Sequence, residues 1–313
     1  MREETLMKKT VYLFSGQGSQ YSGMGKEICE MNPASLQIYE CASDILGFDL
    51  AKICFDGEEA ELAKTGVAQP AIMATSLAVL ELMENEGIPF EAVAGHSLGE
   101  YAAMVASGML SLEDGFRVIK ERAAAMQECA EHQDGSMYAI LGLDSDTIAE
   151  ICASIDGYVV PVNYNSPAQT VIAGETPAVE AAVAAFEGKA RRAAKLNVNA
   201  AFHSKLMQPA ADRFKQAISG ISFHTPAIDF YANLTGAKLE DFSDMPSYLA
   251  SHLVSPVQFV KELNALQQAG FENYVELGPN KVLTGLVKKT LKDVTAVNVE
   301  NKKTVEAALA KLQ

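Results

Sequence analysis

Short apolar runs alternate with longer amphipathic ones along most of this chain. Residues 10–15 (Thr-Val-Tyr-Leu-Phe-Ser) form a compact apolar run that predicts a buried strand. It opens into a glycine-rich loop, Gly16-Gln-Gly-Ser-Gln20, and then a helix near 25–31. Helical spacing recurs over 33–46, 58–63 and 70–87. Phe90-Glu-Ala-Val-Ala94 predicts a second buried strand, followed by helices over 100–107 and 112–131. Strands alternating with helices in this way predict an α/β fold with a mainly parallel sheet.

The middle of the chain follows a different rhythm. Strands are expected at Ser136–Leu141, Tyr158–Tyr164, Gln169–Ala173 and Ala193–Val198, with helices over 144–154 and Thr176–Phe186. That order, β-α-β-β-α-β, is the ferredoxin-like unit. It marks residues 132–198 as a small lobe inserted into a larger domain made of 1–131 and 199–313. After it the pattern returns to mixed α/β. A strand is expected near 227–232, helices at 245–251 and 256–269, a strand at Asn273–Leu277 and a helix over 280–291. No internal repeat or low-complexity stretch interrupts the chain.

Composition narrows the function classes. The 313 residues are 49% hydrophobic and 21% charged, an ordinary globular balance. A net charge of −15 argues against a nucleic-acid partner. No apolar run is long enough to span a membrane, and the polar N-terminus lacks the apolar core of a signal peptide. Five scattered cysteines, an odd number without paired spacing, predict neither structural disulfides nor a zinc site. The expected compartment is the reducing cytoplasm. The five histidines show no metal-ligand spacing, so no metal or other cofactor is expected.

The candidate chemistry centres on Gly95-His96-Ser97-Leu98-Gly99. It fits Gly-x-Ser-x-Gly, the nucleophile elbow, and it stands between a predicted strand and a predicted helix as that turn requires. The turn needs unusual backbone dihedrals, and side chains at the flanking glycines would crowd the helix. A serine hydroxyl needs a base to be nucleophilic at neutral pH. His203 is the candidate, because it lies where the small lobe returns the chain to the larger domain, a place that can face a cleft. His96 adjoins the serine and should point elsewhere. No acid follows in the order of common hydrolases, so a backbone carbonyl could orient the imidazole. The amide of Leu98 would supply one oxyanion donor. The Gly16-Gln17-Gly18 loop, at the end of an early strand, could supply the second, or could be a capping or phosphate loop. Arg122 is either a solvated helix charge or a planar partner for a carboxylate on the acyl group.

Together these motifs resemble the malonyl-CoA:acyl carrier protein transacylase family. The resemblance runs in order through Phe14-Ser-Gly-Gln-Gly-Ser-Gln20, Gly95-His-Ser-Leu-Gly-Glu100, Arg122 with Met126-Gln127, and Asn163-Tyr-Asn-Ser-Pro167. It continues through Phe202-His203-Ser204, Ser255-Pro-Val-Gln258 and Val275-Glu-Leu-Gly-Pro279. Ser15 and Ala123 stand where the family often has proline and glycine. The resemblance implies an α/β-hydrolase-like core carrying a ferredoxin-like lobe. It implies that Ser97 is acylated, that His203 is its base and that Arg122 pairs with the malonyl carboxylate. Gln17 and Leu98 would give the oxyanion-hole amides, and Gln258 would orient His203 through its backbone carbonyl. Phe202 resembles the bulky residue of malonyl-selective polyketide acyltransferases.

The implied partners are malonyl-CoA and the phosphopantetheine thiol of acyl carrier protein, in fatty-acid biosynthesis. Carrier proteins of this kind are acidic, as this chain is, so docking calls for a basic patch. Lys189, Arg191, Arg192, Lys195 and Lys205 form one group in sequence, and Lys288, Lys289 and Lys292 another. An acyltransferase serving a polyketide synthase in trans, an acyl-carrier-protein acyl hydrolase and a generic serine esterase are the alternatives. Arg122 weighs against the two hydrolytic ones.

Overall fold

Hydrogen bonding gathers the strands into two sheets in the computed structural model, which describes residues 8–312. The polar segment at 1–7, read above for signal-peptide character, lies outside the described residues. The first half contains β1 (Lys9–Phe14), α1 (Lys26–Met31), α2 (Ala34–Leu46), α3 (Leu50–Asp56), α4 (Glu59–Leu62) and α5 (Thr65–Asn85). Next come β2 (Ala92–Gly95), α6 (Gly99–Ala106) and α7 (Leu112–Glu131). The middle segment holds β3 (Gly135–Leu141), α8 (Ser145–Ala153), β4 (Val159–Ser166), β5 (Gln169–Glu175), α9 (Thr176–Ala185) and β6 (Arg192–Lys195). The remainder holds α10 (Gln208–Ala217), β7 (Asp229–Ala232), β8 (Ala237–Lys238), α11 (Met245–Val254) and α12 (Phe259–Gln268). It closes with β9 (Phe271–Leu277), α13 (Val282–Thr290), β10 (Thr295–Val299) and α14 (Lys302–Leu312).

The larger sheet has the order β10-β9-β1-β2-β7-β8, parallel except for β8. Its central strands are apolar throughout because helices cover both faces. Tyr12 and Phe14 point to one core and Val11 and Leu13 to the other. The second sheet, order β6-β3-β5-β4, is antiparallel throughout. Tyr164 N donates to Val257 O and Val257 N to Val162 O, both at 2.9 Å, joining β4 to the approach of α12.

Several elements differ from expectation. The sequence reading passes over α3, α10, β8, β10 and α14. α10 and α14 are short amphipathic helices that bury only a few residues each, most of them alanines, so their apolar stripe is weak in sequence. β10 is a short edge strand whose alternation is too brief to stand out. Helix α5 begins at Thr65 rather than 70 and carries Pro70 inside it. It is also long and apolar enough, by length and composition, to cross a membrane, against the expectation that no run reaches that length. Its apolar stretch is 89% buried within the protein, where it packs on α2 and α7.

Parallel pairing positions the site. Phe14 pairs with Gly95 and with Leu277, so β1, β2 and β9 end on the same sheet edge, and β7 ends beside them. Open parallel sheets place functional loops at that carboxyl edge. Here it carries the Gly16–Gln20 loop, the Ser97 turn and Asn233.

Candidate active site

The Ser97 turn is tight because two backbones touch there. A Cβ on Gly95 would come 2.2 Å from the Gly99 carbonyl carbon, and one on Gly99 would come 2.1 Å from Phe14 O. The glycines therefore provide clearance, while the unusual dihedral falls on Ser97 itself, at φ 53°. A non-glycine residue in that region is strained and must be held there by its surroundings. His203 is strained in the same way, at φ 61°.

These two strained residues face each other. Ser97 Oγ lies 2.7 Å from His203 Nε2. His203 Nδ1 faces two backbone carbonyls, His252 O at 3.0 Å and Ser255 O at 3.2 Å. Nδ1 therefore carries the proton, and Nε2 is left as the acceptor for the serine. The resemblance assigned that orienting carbonyl to Gln258. The Gln258 carbonyl instead accepts from Glu262 N in the first turn of α12, and the last turn of α11 with its C-cap residue Ser255 supplies the two oxygens. Burial, with Arg122 adding its positive charge, lowers the His203 imidazole to about 3. It is neutral across the physiological range, with Nε2 unprotonated and facing the serine hydroxyl.

Arg122 reaches the same hydroxyl from α7. Its Nη2 donates to Ser97 Oγ at 3.1 Å and its Nη1 to Gln69 Oε1 at 2.6 Å. The guanidinium lies 5.0 Å from the centre of the Tyr101 ring and is 1% exposed. Its Nε has no hydrogen-bond partner, and no carboxylate stands within ion-pair distance among the described residues. A buried cation without a counter-ion is costly, and it favours an anionic ligand. It is not the solvated helix charge that its position in sequence also allowed.

Of the remaining candidates, Gln17 and Phe202 line a cavity of about 450 Å3 together with Ser97, Met126, Lys195 and His203, and the side chains of Leu98 and Gln258 do not. Gly16 packs so closely that a Cβ would lie 2.7 Å from His96 O, which brings the Gln17 loop beside the serine turn. Leu98 follows Ser97 at the N-terminus of α6. Among the described residues no hydrogen bond occupies the amide of Gln17 or of Leu98. His96 does not contact the serine hydroxyl but lines the same cavity, its Nε2 2.7 Å from Asn165 Oδ1 and its ring edge-on to Phe259.

Asn233 and Gln69 escaped the sequence reading. Asn233 Oδ1 accepts from Ser97 N at 2.7 Å. Its only sequence signal is its place just after a predicted strand. Gln69 lies on a uniformly buried helix face, where nothing in the pattern sets it apart.

Comparisons with known proteins give the chain its relatives. The family model described as "Acyl transferase domain" matches residues 11–309. The malonyl CoA-acyl carrier protein transacylase of Bacillus subtilis (strain 168) is 38% identical over 311 residues, covering 98% of each chain. The crystal structure of the Clostridium perfringens transacylase of that name superposes with a TM-score of 0.93 at 37% identity, covering 97% of each chain. A malonyl-transacylase solved in complex with a type II PKS acyl-carrier protein also superposes at 0.93, with 35% identity over 97% of this chain and 99% of that one. With such likeness along nearly its whole length, this chain belongs to the malonyl CoA-acyl carrier protein transacylase family of acyl transferases.

Proposed function

We propose that the protein moves a malonyl group from malonyl-CoA to the phosphopantetheine thiol of acyl carrier protein, in fatty-acid synthesis, through a malonyl ester on Ser97. The observation that carries this reading is the buried Arg122 guanidinium, which touches the nucleophile and has no carboxylate of its own. Its Nε and Nη2 form one edge of the fork, suited to a carboxylate in bidentate contact.

In the first step Ser97 Oγ attacks the thioester carbonyl while His203 Nε2 takes its proton. Amides of Leu98 and Gln17 would donate to the oxyanion. The C–S bond breaks, and His203 returns the proton to the CoA sulfur. In the second step His203 takes the proton of the carrier thiol, the sulfur attacks the serine ester, and the C–O bond breaks with the proton going back to Ser97. The carbonyls of His252 and Ser255 hold Nδ1–H throughout, in the role the resemblance gave to Gln258.

Phe202 beside His203 supports selection of malonyl over a branched acyl group. Lys195 on the cavity and exposed Lys189, Arg191, Arg192 and Lys205 support a carrier-docking face next to the entrance, with Lys288, Lys289 and Lys292 as a second basic group. We read residues 132–198 as a ferredoxin-like lobe set into an α/β-hydrolase-like core of 1–131 and 199–313. The strand order β6-β3-β5-β4, with α8 and α9 as its crossovers, supports that division. Free thiols at Cys29, Cys41, Cys54, Cys129 and Cys152 support a cytoplasmic setting.

Mass spectrometry after incubation with malonyl-CoA tests the reaction. A malonyl adduct should form on Ser97, persist until carrier protein is added, and be missing in Ser97→Ala. Rapid loss to free malonate without carrier would make the protein a hydrolase instead.

A further inference from the structure

Behind the serine turn lies a buried polar cluster that the reaction as described leaves unused. Asn233 sits at its centre, fully buried at the end of β7. Its amide orientation is determined by its partners. Oδ1 accepts from the backbone N–H of Ser97 at 2.7 Å, while Nδ2 donates to Gly95 O at 2.5 Å and to Glu262 Oε2 at 3.0 Å. One side chain thus ties the last residue of β2 to the strained residue two positions on. Its backbone N–H donates to Glu100 Oε2 at 2.7 Å. Glu100 also accepts from the Tyr248 hydroxyl. His252 Nε2 lies 3.4 Å from Asn233 Oδ1, and the His252 carbonyl holds His203 Nδ1. The same amide therefore touches the backbone of Ser97 directly and is linked through His252 to the imidazole of His203.

We propose that Asn233 is the positioning residue of the nucleophile. Its amide oxygen holds Ser97 in the left-handed turn that aims Oγ at His203, and Glu100 and Glu262 hold Asn233 in turn. This rests on Ser97 being the residue that carries the acyl group. The groups facing the cluster are Glu100 from α6, Arg122 from α7, Tyr248 and His252 from α11, Glu262 from α12, and His203. Burial raises the Glu100 carboxyl to about 7 and the Glu262 carboxyl well above its usual range, so the two do not both carry charge near neutral pH.

Rapid-quench measurement of CoA release, normalised to titrated Ser97, tests the assignment with Asn233→Ala and Asn233→Asp. In N233A the acylation rate per site is expected to fall about 100-fold with KM for malonyl-CoA unchanged, the usual effect of a misaimed group. N233D keeps the acceptor for Ser97 N–H and regains a donor when protonated. Its rate should recover as pH is lowered from about 8 to about 6, and that of N233A should not. A wild-type per-site rate in N233A overturns the proposal. So does a loss carried by KM, or an equal loss in both variants at every pH. Should N233A fail to fold, near-isosteric N233D decides alone, since at about pH 6 it must approach the wild-type rate. The adduct on wild-type Ser97 reports separately on the parent reading.

Discussion

Arg122 Nη2 and His203 Nε2 meet the same atom, Ser97 Oγ, at 3.1 and 2.7 Å. Arg122 therefore stands where, on the proposed reading, it would meet the acyl carboxylate while its charge also acts on the base. Its charge is the second cause, after burial, that lowers His203 to about 3. A histidine lowered in this way loses its basicity only below that value, so acylation should stay level through the ordinary histidine range near 6.5. In Arg122→Ala the His203 titration should move upward, and malonyl acylation should fall roughly 10- to 100-fold, the equivalent of a charge-assisted contact of about 1.5–3 kcal/mol. Acetyl-CoA should acylate this variant at least as well as malonyl-CoA. Rapid-quench rates with both thioesters check this, and an unchanged malonyl rate would remove Arg122 from the site. Ser97, His203 and Arg122 were legible in sequence because a short motif or a family match marks each one. Asn233 was not, since an asparagine after a strand is ordinary until folding sets it against the serine amide.

The turn between β2 and α6 is an element whose geometry depends on backbone clearance. A Cβ at Gly99 would meet Phe14 O at 2.1 Å and Ser15 O at 2.8 Å, atoms of the neighbouring strand and its loop that cannot rotate aside. Gly99→Ala should destabilise the fold by about 3 kcal/mol or more, and should lower acylation by pushing α6 and the Leu98 amide away from β1. Gly66 on α5 is the control, because nothing lies within 4 Å of a Cβ there. Gly66→Ala should stabilise by roughly 0.5–1 kcal/mol through helix propensity alone. Denaturant melts of the two variants check both signs. Elements with strong periodicity, such as α2, α7 and β1, were legible to within a residue or two. α14 and β10 were not, because only contact with the rest of the protein completes their apolar faces.

Across the whole molecule, buried carboxyls make stability depend on pH. Glu276, the penultimate residue of β9, accepts from Leu283 N and Thr284 N of α13, and burial raises its carboxyl to about 7 from the ordinary 4.5. The folded state therefore holds this proton more tightly than the unfolded chain. Its contribution is full below about 4.5 and is lost as pH rises through about 7, with Glu100 adding in the same direction. The lowered His203 works the opposite way, adding stability as pH climbs from about 3 to 6.5. In Glu276→Gln the decline between about pH 5 and pH 8 should shrink by on the order of 3 kcal/mol, read from urea unfolding at both values. Equal declines in the two proteins would show that Glu276 does not titrate in that window. At this scale the sequence alone determined the α/β class, the change of rhythm over the middle segment and the Ser97 motif, while the family resemblance singled out His203 and Arg122. These are properties of local periodicity and short motifs, which survive in one dimension. Only the tertiary structure decided which carbonyls hold His203, that Arg122 is buried without a counter-ion, and that Asn233 braces the serine turn. Each of those depends on residues dozens to more than a hundred positions apart, brought together by parallel strands ending on one edge, and no local pattern encodes that distance.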